Sequence, residues 1–455
     1  MEEKRLKFLD ILVMGMALFS MFFGAGNLIF PPLLGQESGT SWFIGFLFFF
    51  IFDVGLALVA ILAFIKKGEY SLWGLTDVMG KVPCLIISCV AALCIGPMPT
   101  VARTAATTFE VGIQPLFPTF NSWIFTAIFF AIVLTLSIRP SKVVDIVGAV
   151  LTPILVIGLL LLIIRGIVSP LGNIDLEAIN NPVRDGTLNG YQTLDVIGVM
   201  LYIMLIIKSV TSRGYTTPKS MSKAVLGSGI VASVGLFIIY GGLTYLGATT
   251  CHIPELQGLN QTALLVAITN GLFGNIGVVL LAVVVFCACL TTAIGATSSV
   301  ATFFERAIKG RVSYRVFVIT IALLSWLISN AGISVIISVS GPLLNLIYPG
   351  LLVLTVLTLF CNKLKNRNIY RVSVYFAMIT SALEILAGFG LPTGFVTSLP
   401  LGEFGFAWIL PAILGGNHRE MHPRPPCRGC GITAGKMEIS RILFFYEAFT
   451  QKAVR

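Results

Sequence analysis

Apolar runs near 20 residues long recur from one end of this 455-residue chain to the other, each long enough to cross a hydrocarbon core as a helix. Charged residues make up 11% of the chain, against about 25% in a soluble domain. Inside lipid, every backbone N–H and C=O must find a partner within the protein. A chain of such runs therefore packs helix against helix. The expected fold class is an all-α polytopic membrane protein, with about twelve spans at roughly 8–33, 42–65, 84–112, 121–138, 144–168, 192–209, 224–247, 276–304, 315–329, 332–360, 372–391 and 403–416.

Basic residues orient these spans. Twenty of the 30 lysines and arginines fall in alternate connections, within residues 4–7, 66–81, 139–142, 208–223, 306–315 and 363–371. The opposite side has Arg165 and Arg184, and Arg103 lies inside a span. This asymmetry around an even number of spans predicts cytoplasmic N and C termini. It also accounts for the net charge of +10 without a nucleic-acid partner. No cleavable leader is expected, because residues 1–7 are charged and no small-residue cleavage site follows an early apolar core. Of the nine cysteines, Cys84, Cys89, Cys94, Cys287, Cys289 and Cys361 lie in or beside apolar runs, and no disulfide framework is expected.

The first run is interrupted. It reads Phe22-Phe23-Gly24-Ala25-Gly26-Asn27-Leu28-Ile29-Phe30-Pro31-Pro32, and glycine and asparagine are poor helix formers. A broken backbone at this depth persists where its groups line a cavity or hold a ligand, as in the discontinuous helices of secondary transporters. The simpler alternative is close helix packing through small residues.

A longer outer connection, 169–191, divides the chain into five spans (1–168), five more (192–360) and two at the end (361–416), the last of them cut to about 14 residues, short of the usual ~20. Span six opens Tyr191-Gln192-Thr193-Leu194-Asp195-Val196-Ile197-Gly198. Asp195 is either a charge suited to a helix N-terminus or a site residue. In a five-plus-five inverted arrangement span six is the counterpart of span one, and Gly198 and its neighbours are expected to supply a second break. Span eight carries Ala288, Thr291 and Thr292 at i, i+3 and i+4, hence on one face. Two threonine hydroxyls beside carbonyls freed by a broken helix form an oxygen cage that suits a hard cation. The alternative is hydroxyls that only bond back to the preceding turn.

Span three contains Pro97 and Pro99, which distort a helix, then Arg103 and Glu110. These two are expected to face protein or water, with Arg103 structural or gating. Asp53 and Glu384 are further carboxylates at span depth, and Gly341-Pro342 and Tyr348-Pro349-Gly350 suggest kinks in span ten. The chain has no P-loop, no H-E-x-x-H and no G-x-S-x-G, which argues against ATP-driven transport and common hydrolases. It is not expected to be an enzyme.

After Gly416 the composition changes abruptly. His418, His422, Cys427 and Cys430 admit a zinc reading, but three prolines and three arginines stand among them. A shifted reading frame or a foreign end explains residues 417–455 better, and an apolar continuation in another frame of the coding DNA would identify it.

With these stretches in hand, the chain resembles the bacterial branched-chain amino acid:cation symporters over about residues 5–416. The likeness lies in Phe23 to Pro32, Pro99 to Glu110, Tyr191 to Asp195, Leu290-Thr291-Thr292-Ala293 and Leu410-Pro411. It implies a LeuT-like five-plus-five inverted repeat with helices 1 and 6 discontinuous and two extra helices. It implies import of leucine, isoleucine and valine across the bacterial cell membrane by alternating access, with no cofactor beyond Na+ as coupling ion. It also implies that Gly24, Ala25, Gly26 and Asn27, with Asp195 and Gly198, hold the amino acid, and that Phe22, Phe23 and Tyr202 line its apolar pocket. Sodium would be held by the carbonyls of Ser20 and Phe23, by Ala288 and by the hydroxyls of Thr291 and Thr292. Two alternatives stand: another small solute coupled to protons through Asp195 or Asp53, and a membrane sensor that binds but does not transport. A metal-ion carrier is disfavoured, because the first break offers no carboxylate or soft ligand.

Overall fold

The computed structural model describes residues 6–138, 151–361, 364, 366–391, 393–396 and 398–417. Among them every regular element is a helix. The N-terminal half comprises α1 (Phe8–Phe22), α2 (Ala25–Ser38), α3 (Trp42–Phe50), α4 (Leu56–Lys67), α5 (Leu72–Thr76), α6 (Lys81–Ile95), α7 (Thr100–Thr107), α8 (Ser122–Ser137) and α9 (Thr152–Val168). The remainder comprises α10 (Pro182–Thr193), α11 (Asp195–Ser212), α12 (Pro218–Ala248), α13 (Gln261–Phe273), α14 (Asn275–Ala307), α15 (Tyr314–Ser329), α16 (Ile333–Leu359), α17 (Arg367–Gly388) and α18 (Ile409–Asn417).

Seven helical stretches among the described residues are long and apolar enough to cross a membrane. Several expected spans fall short because they are interrupted, as α1 is, or run only 10–17 residues. On α9 one face explains the membrane setting. Leu155, Leu159 and Leu162 are buried, while Ile157, Leu161 and Ile164 are exposed. An apolar helix that buries one apolar face and displays the other is arranged for lipid.

The first run breaks where its glycines predict. α1 ends at Phe22, Phe23 turns to ψ 84, and Gly24 is extended at φ −111, ψ −160 before α2 begins. α2 then crosses α12 backbone to backbone. A Cβ on Gly35 would lie 1.9 Å from the Thr244 carbonyl oxygen, and one on Gly247 would lie 1.8 Å from that of Pro32. Only glycine permits this approach, so the small residues of the first run serve packing at Gly35 and a break at Gly24.

Two other spans are distorted around polar residues. A π-helical turn, Ile51–Gly55, separates α3 from α4 and turns Asp53 inward. Such wide turns often mark functional positions. Gly96 to Pro99 interrupt the third span, as the prolines predict, and a second π turn, Thr108–Ile113, follows α7.

The sixth span departs from expectation. The helix starts at Pro182, inside the stretch read as a connection, and its interruption is Leu194 at φ 73, ψ 10, four residues before Gly198. Asn181 explains the early start. Its side-chain oxygen accepts from the N–H of Val183 at 3.0 Å and of Arg184 at 3.3 Å. Asparagine at the cap followed by proline in the first turn is a strong start signal. Asn260 caps α13 in the same way, with Oδ1 2.8 Å from the Ala263 nitrogen, between the seventh and eighth expected spans. Residues 139–150, which include the start of the fifth expected span, and the tail with its zinc reading lie outside the described residues.

Candidate functional site

The site begins with what the first break leaves unpaired. A helix C-terminus carries carbonyls with no intrahelical donor, and α14 supplies hydroxyls for those of α1. Thr291 Oγ1 donates to the Ser20 carbonyl at 2.9 Å and to that of Ala288 at 2.8 Å. Thr292 Oγ1 lies 3.3 Å from the Ser20 carbonyl and 3.2 Å from that of Met21. Ser20, Ala288, Thr291 and Thr292 thus meet in one buried cluster of oxygens. The donor set fits a small hard cation, because carbonyl and hydroxyl oxygens on converging helices satisfy it without strict geometry. Such an ion would require the two hydroxyls to turn their lone pairs inward. Phe23 stands apart: its ring stacks on Phe19 at 5.7 Å and on Tyr240 at 5.9 Å. Among the described residues no hydrogen bond joins it to the threonine pair.

Asn27 ties the two breaks together. Its Nδ2 donates to Asp195 Oδ2 at 3.0 Å and to Tyr240 Oη at 2.5 Å, and it lies 3.4 Å from Asp53 Oδ2. Thr193 Oγ1 donates to Asp53 Oδ1 at 2.8 Å. One amide on α2 therefore meets the first residue of α11, the π turn of the second span and a tyrosine of α12. All these side chains are buried. Two carboxylates at this depth are costly, and hydrogen-bond donors on each offset part of the desolvation.

Arg103 closes the remaining side. It is buried on α7 and donates from Nη1 at 3.1 Å and Nη2 at 3.2 Å to the Gln192 carbonyl, in the last turn before Leu194. Its guanidinium lies 5.7 Å from the centre of the Phe30 ring. A Cβ added at Gly26 would come within 2.8 Å of its Nη2. Arg103 therefore spans both interrupted helices. Glu110 does something else: its Oε1 accepts from the Ile333 N–H at 3.1 Å and caps α16.

Phe22, Gly24, Ala25, Asn27, Asp195, Tyr202, Arg103 and Thr292 line one cavity of about 10 Å³, the room of a single water. Gly26 faces Arg103 instead, and Gly198 sits one turn into α11, where a Cβ would meet the Tyr202 ring at 2.8 Å. The sequence indicates about half of this lining and offers Asp53 as a proton-coupling alternative, but it gives Arg103 a structural or gating role and does not single out Thr193 or Tyr240. Asp53 and Arg103 had one usable signal, an ionisable residue at span depth. Thr193 and Tyr240 had none, since their polar partners lie far along the chain.

Comparison with known proteins places this geometry. A family profile described as "Branched-chain amino acid transport protein" matches residues 7–421. The chain is 36% identical to the branched-chain amino acid permease BraB of Bacillus subtilis, over 89% of this chain and 94% of BraB. It is 35% identical to the permease BrnQ of Escherichia coli, over 89% of this chain and 93% of BrnQ. Among solved structures it is similar to a Na+-coupled sialic acid symporter, with a TM-score of 0.62, 13% identity and coverage of 89% of this chain and 88% of that one. It is likewise similar to Mhp1, a nucleobase-cation-symport-1 family transporter, with a TM-score of 0.58, 14% identity and coverage of 89% and 91%. At those identities the likeness establishes the fold, the LeuT-like arrangement of transporters. Together these findings make the chain a multi-pass membrane transport protein, not an enzyme, and it belongs to the branched-chain amino acid transport protein family.

Proposed function

We propose that this protein imports leucine, isoleucine and valine together with a cation, Na+, by alternating access, with both termini in the cytoplasm. The observation that carries the reading is the meeting of the two breaks: Asn27 on one and Asp195 on the other share a hydrogen bond, and Thr291 and Thr292 converge on carbonyls of the first.

The amino acid's charged ends have matching partners. The first N–H groups of α2, around Ala25 and Gly26, have no intrahelical acceptor and favour a carboxylate. The Asp195 carboxylate offers the ammonium a counter-charge. The branched side chain would lie against Phe22 and Tyr202, whose rings are 6.1 Å apart. The cavity of about 10 Å³ is too small for leucine, so binding requires Tyr202 or its helix to move. Sodium bound between Ser20, Ala288 and the two threonines would draw the end of α1 towards α14. Ion and substrate share α1 and the break, and that shared element is the physical basis of coupling.

Transport by purified protein in liposomes tests this. Leucine uptake should follow an inward Na+ gradient and collapse when choline replaces sodium. A second reading, proton coupling, draws on Asp53 and Asp195 both reaching Asn27. Uptake that ignores sodium and follows an imposed pH gradient would favour it. Uptake of none of the three amino acids under either gradient would overturn both.

A further inference from the structure

A larger cavity lies outside the central site. It measures about 450 Å³, within the range of small-molecule pockets. α10, α16 and α17 enclose it with the segment around Gly405 and Trp408, at the end of the bundle that the charge asymmetry assigns to the outside. Nothing in the central site's chemistry accounts for it.

Three buried polar groups line this cavity without a hydrogen bond. Tyr191 is 3% exposed, Ser381 3% and Trp408 8%, yet Tyr191 Oη, Ser381 Oγ and Trp408 Nε1 have no partner in good hydrogen-bond geometry. Tyr191 and Trp408 are each other's polar neighbours and interact weakly, without reaching good hydrogen-bond geometry. Buried donors left unpaired are costly and point to an unfilled role. Two opposite charges face the same space, Arg184 from α10 and Glu384 from α17, and no ion pair within 4.0 Å joins these two. Ile337, Pro342, Ile385 and Phe389 supply an apolar wall.

An anion-binding arginine, a cation-binding carboxylate and an apolar wall describe a zwitterion with a hydrocarbon side chain. Trp408 Nε1 and Arg184 are donors suited to a carboxylate. Glu384 and the hydroxyl oxygens of Tyr191 and Ser381 are acceptors suited to an ammonium. A single last helical turn separates this cavity from the centre. Tyr191 lines the outer cavity, while Thr193, Leu194 and Asp195 line the inner one. Gln192 lies between them. Its carbonyl holds Arg103, its Oε1 has no partner, and its Nε2 lies 3.6 Å from where a Gly341 Cβ would be.

We propose that the cavity between α10, α16 and α17 is a second binding site for an apolar amino-acid zwitterion, held by Arg184 and Glu384 and placed in series with the central site. The proposal rests on the reading of the protein as an amino-acid carrier. A molecule seated there presses on Tyr191 and Gln192, hence on the turn that carries Arg103 and Leu194. Outer occupancy is thereby linked to the break where the inner amino acid binds.

The test is the stoichiometry of radiolabelled leucine binding to the full-length protein in nanodiscs, with and without sodium. The unaltered protein should bind two leucines per chain. Arg184→Gln and Glu384→Gln should each weaken the outer site roughly tenfold, the loss of one charge-assisted hydrogen bond, and leave one sodium-dependent leucine. That retained component shows that the variants are folded. One leucine per chain in the unaltered protein, unchanged in both variants, overturns the second site while leaving the carrier reading intact. A co-purifying phospholipid that Glu384→Gln releases, with one leucine bound throughout, assigns the cavity to lipid and overturns the proposal equally. No leucine bound under any condition sinks the carrier reading, and the second site with it.

Discussion

The side chain of Asn27 donates to the carboxylate of Asp195 across 3.0 Å, joining the restart of one broken helix to the restart of the other. Both residues are buried, so Asn27→Ala takes a donor from the Asp195 carboxylate at about 1–3 kcal/mol, and Asp195→Asn removes the charge while Asn27 keeps Tyr240 and Asp53. Asn27→Ala and Asp195→Asn should therefore each weaken leucine binding roughly tenfold or more. Because the residues touch, the effects should not add. A double-mutant cycle on leucine affinity should give a coupling of about 0.5–3 kcal/mol. Additive effects would mean that the two helices respond independently.

The threonine pair makes a separable prediction about the ion. Thr291 Oγ1 reaches the Ser20 carbonyl at 2.9 Å, so Thr291→Ala removes one oxygen from the cage and Thr291→Ser retains it. Sodium titrations of leucine uptake should shift roughly tenfold to higher concentration for the alanine variant. The serine variant should stay close to the unaltered protein, and leucine affinity at saturating sodium should change little in either. An equal loss in serine and alanine would point to packing by the threonine methyl instead.

The glycines of the first run should divide into two phenotypes. A Cβ on Gly35 meets the Thr244 carbonyl at 1.9 Å, backbone that cannot yield. Gly35→Ala should lower the amount of folded protein in the membrane. A Cβ on Gly24 meets the Thr292 side chain at 3.0 Å, so Gly24→Ala should leave the protein assembled and displace a threonine of the cage. Expression measured by fluorescence-detected size exclusion, set beside sodium-dependent uptake, separates the two. Equal abundance of both variants would contradict the packing argument.

Sequence carried the break at Gly24, the distortion at Pro97 and Pro99 and the shared face of Ala288, Thr291 and Thr292, because each depends on local chemistry or on helical spacing; the convergence of Ser20 with Thr291, 271 residues away, was implied only by the family resemblance. It misplaced the second break. Gly198 suggested looseness, yet the chain turns at Leu194, in a left-handed conformation that its sequence does not advertise. The early start at Pro182 was encoded in Asn181-Pro182 and hidden inside what reads as a polar connection. The hub around Asn27 was beyond any local pattern. Asn27 and Asp195 are 168 residues apart and Asn27 and Tyr240 213, so only the packed bundle brings them together.

The two broken helices are also tied at the end away from the large cavity. Arg213, just past α11, pairs with Asp10 in the first turn of α1 at 2.9 Å, and Tyr215 Oη donates to Asp10 at 2.6 Å. Side-chain exposures of 22% and 18% place the pair between the surface and the interior, so its attraction is screened less than that of an exposed pair. If loss of the pair destabilises the closed end by about 1.4 kcal/mol, the open population rises tenfold. Arg213→Ala should then admit solvent at that end, seen as faster hydrogen exchange in peptides covering 8–14 and 206–213. Concentrative uptake should fall more than downhill exchange, because a carrier that leaks at one end still equilibrates substrate. The reversed pair, Asp10→Arg with Arg213→Asp, should recover part of both. A reversed pair no better than Arg213→Ala would show that charge attraction is not what holds this end shut.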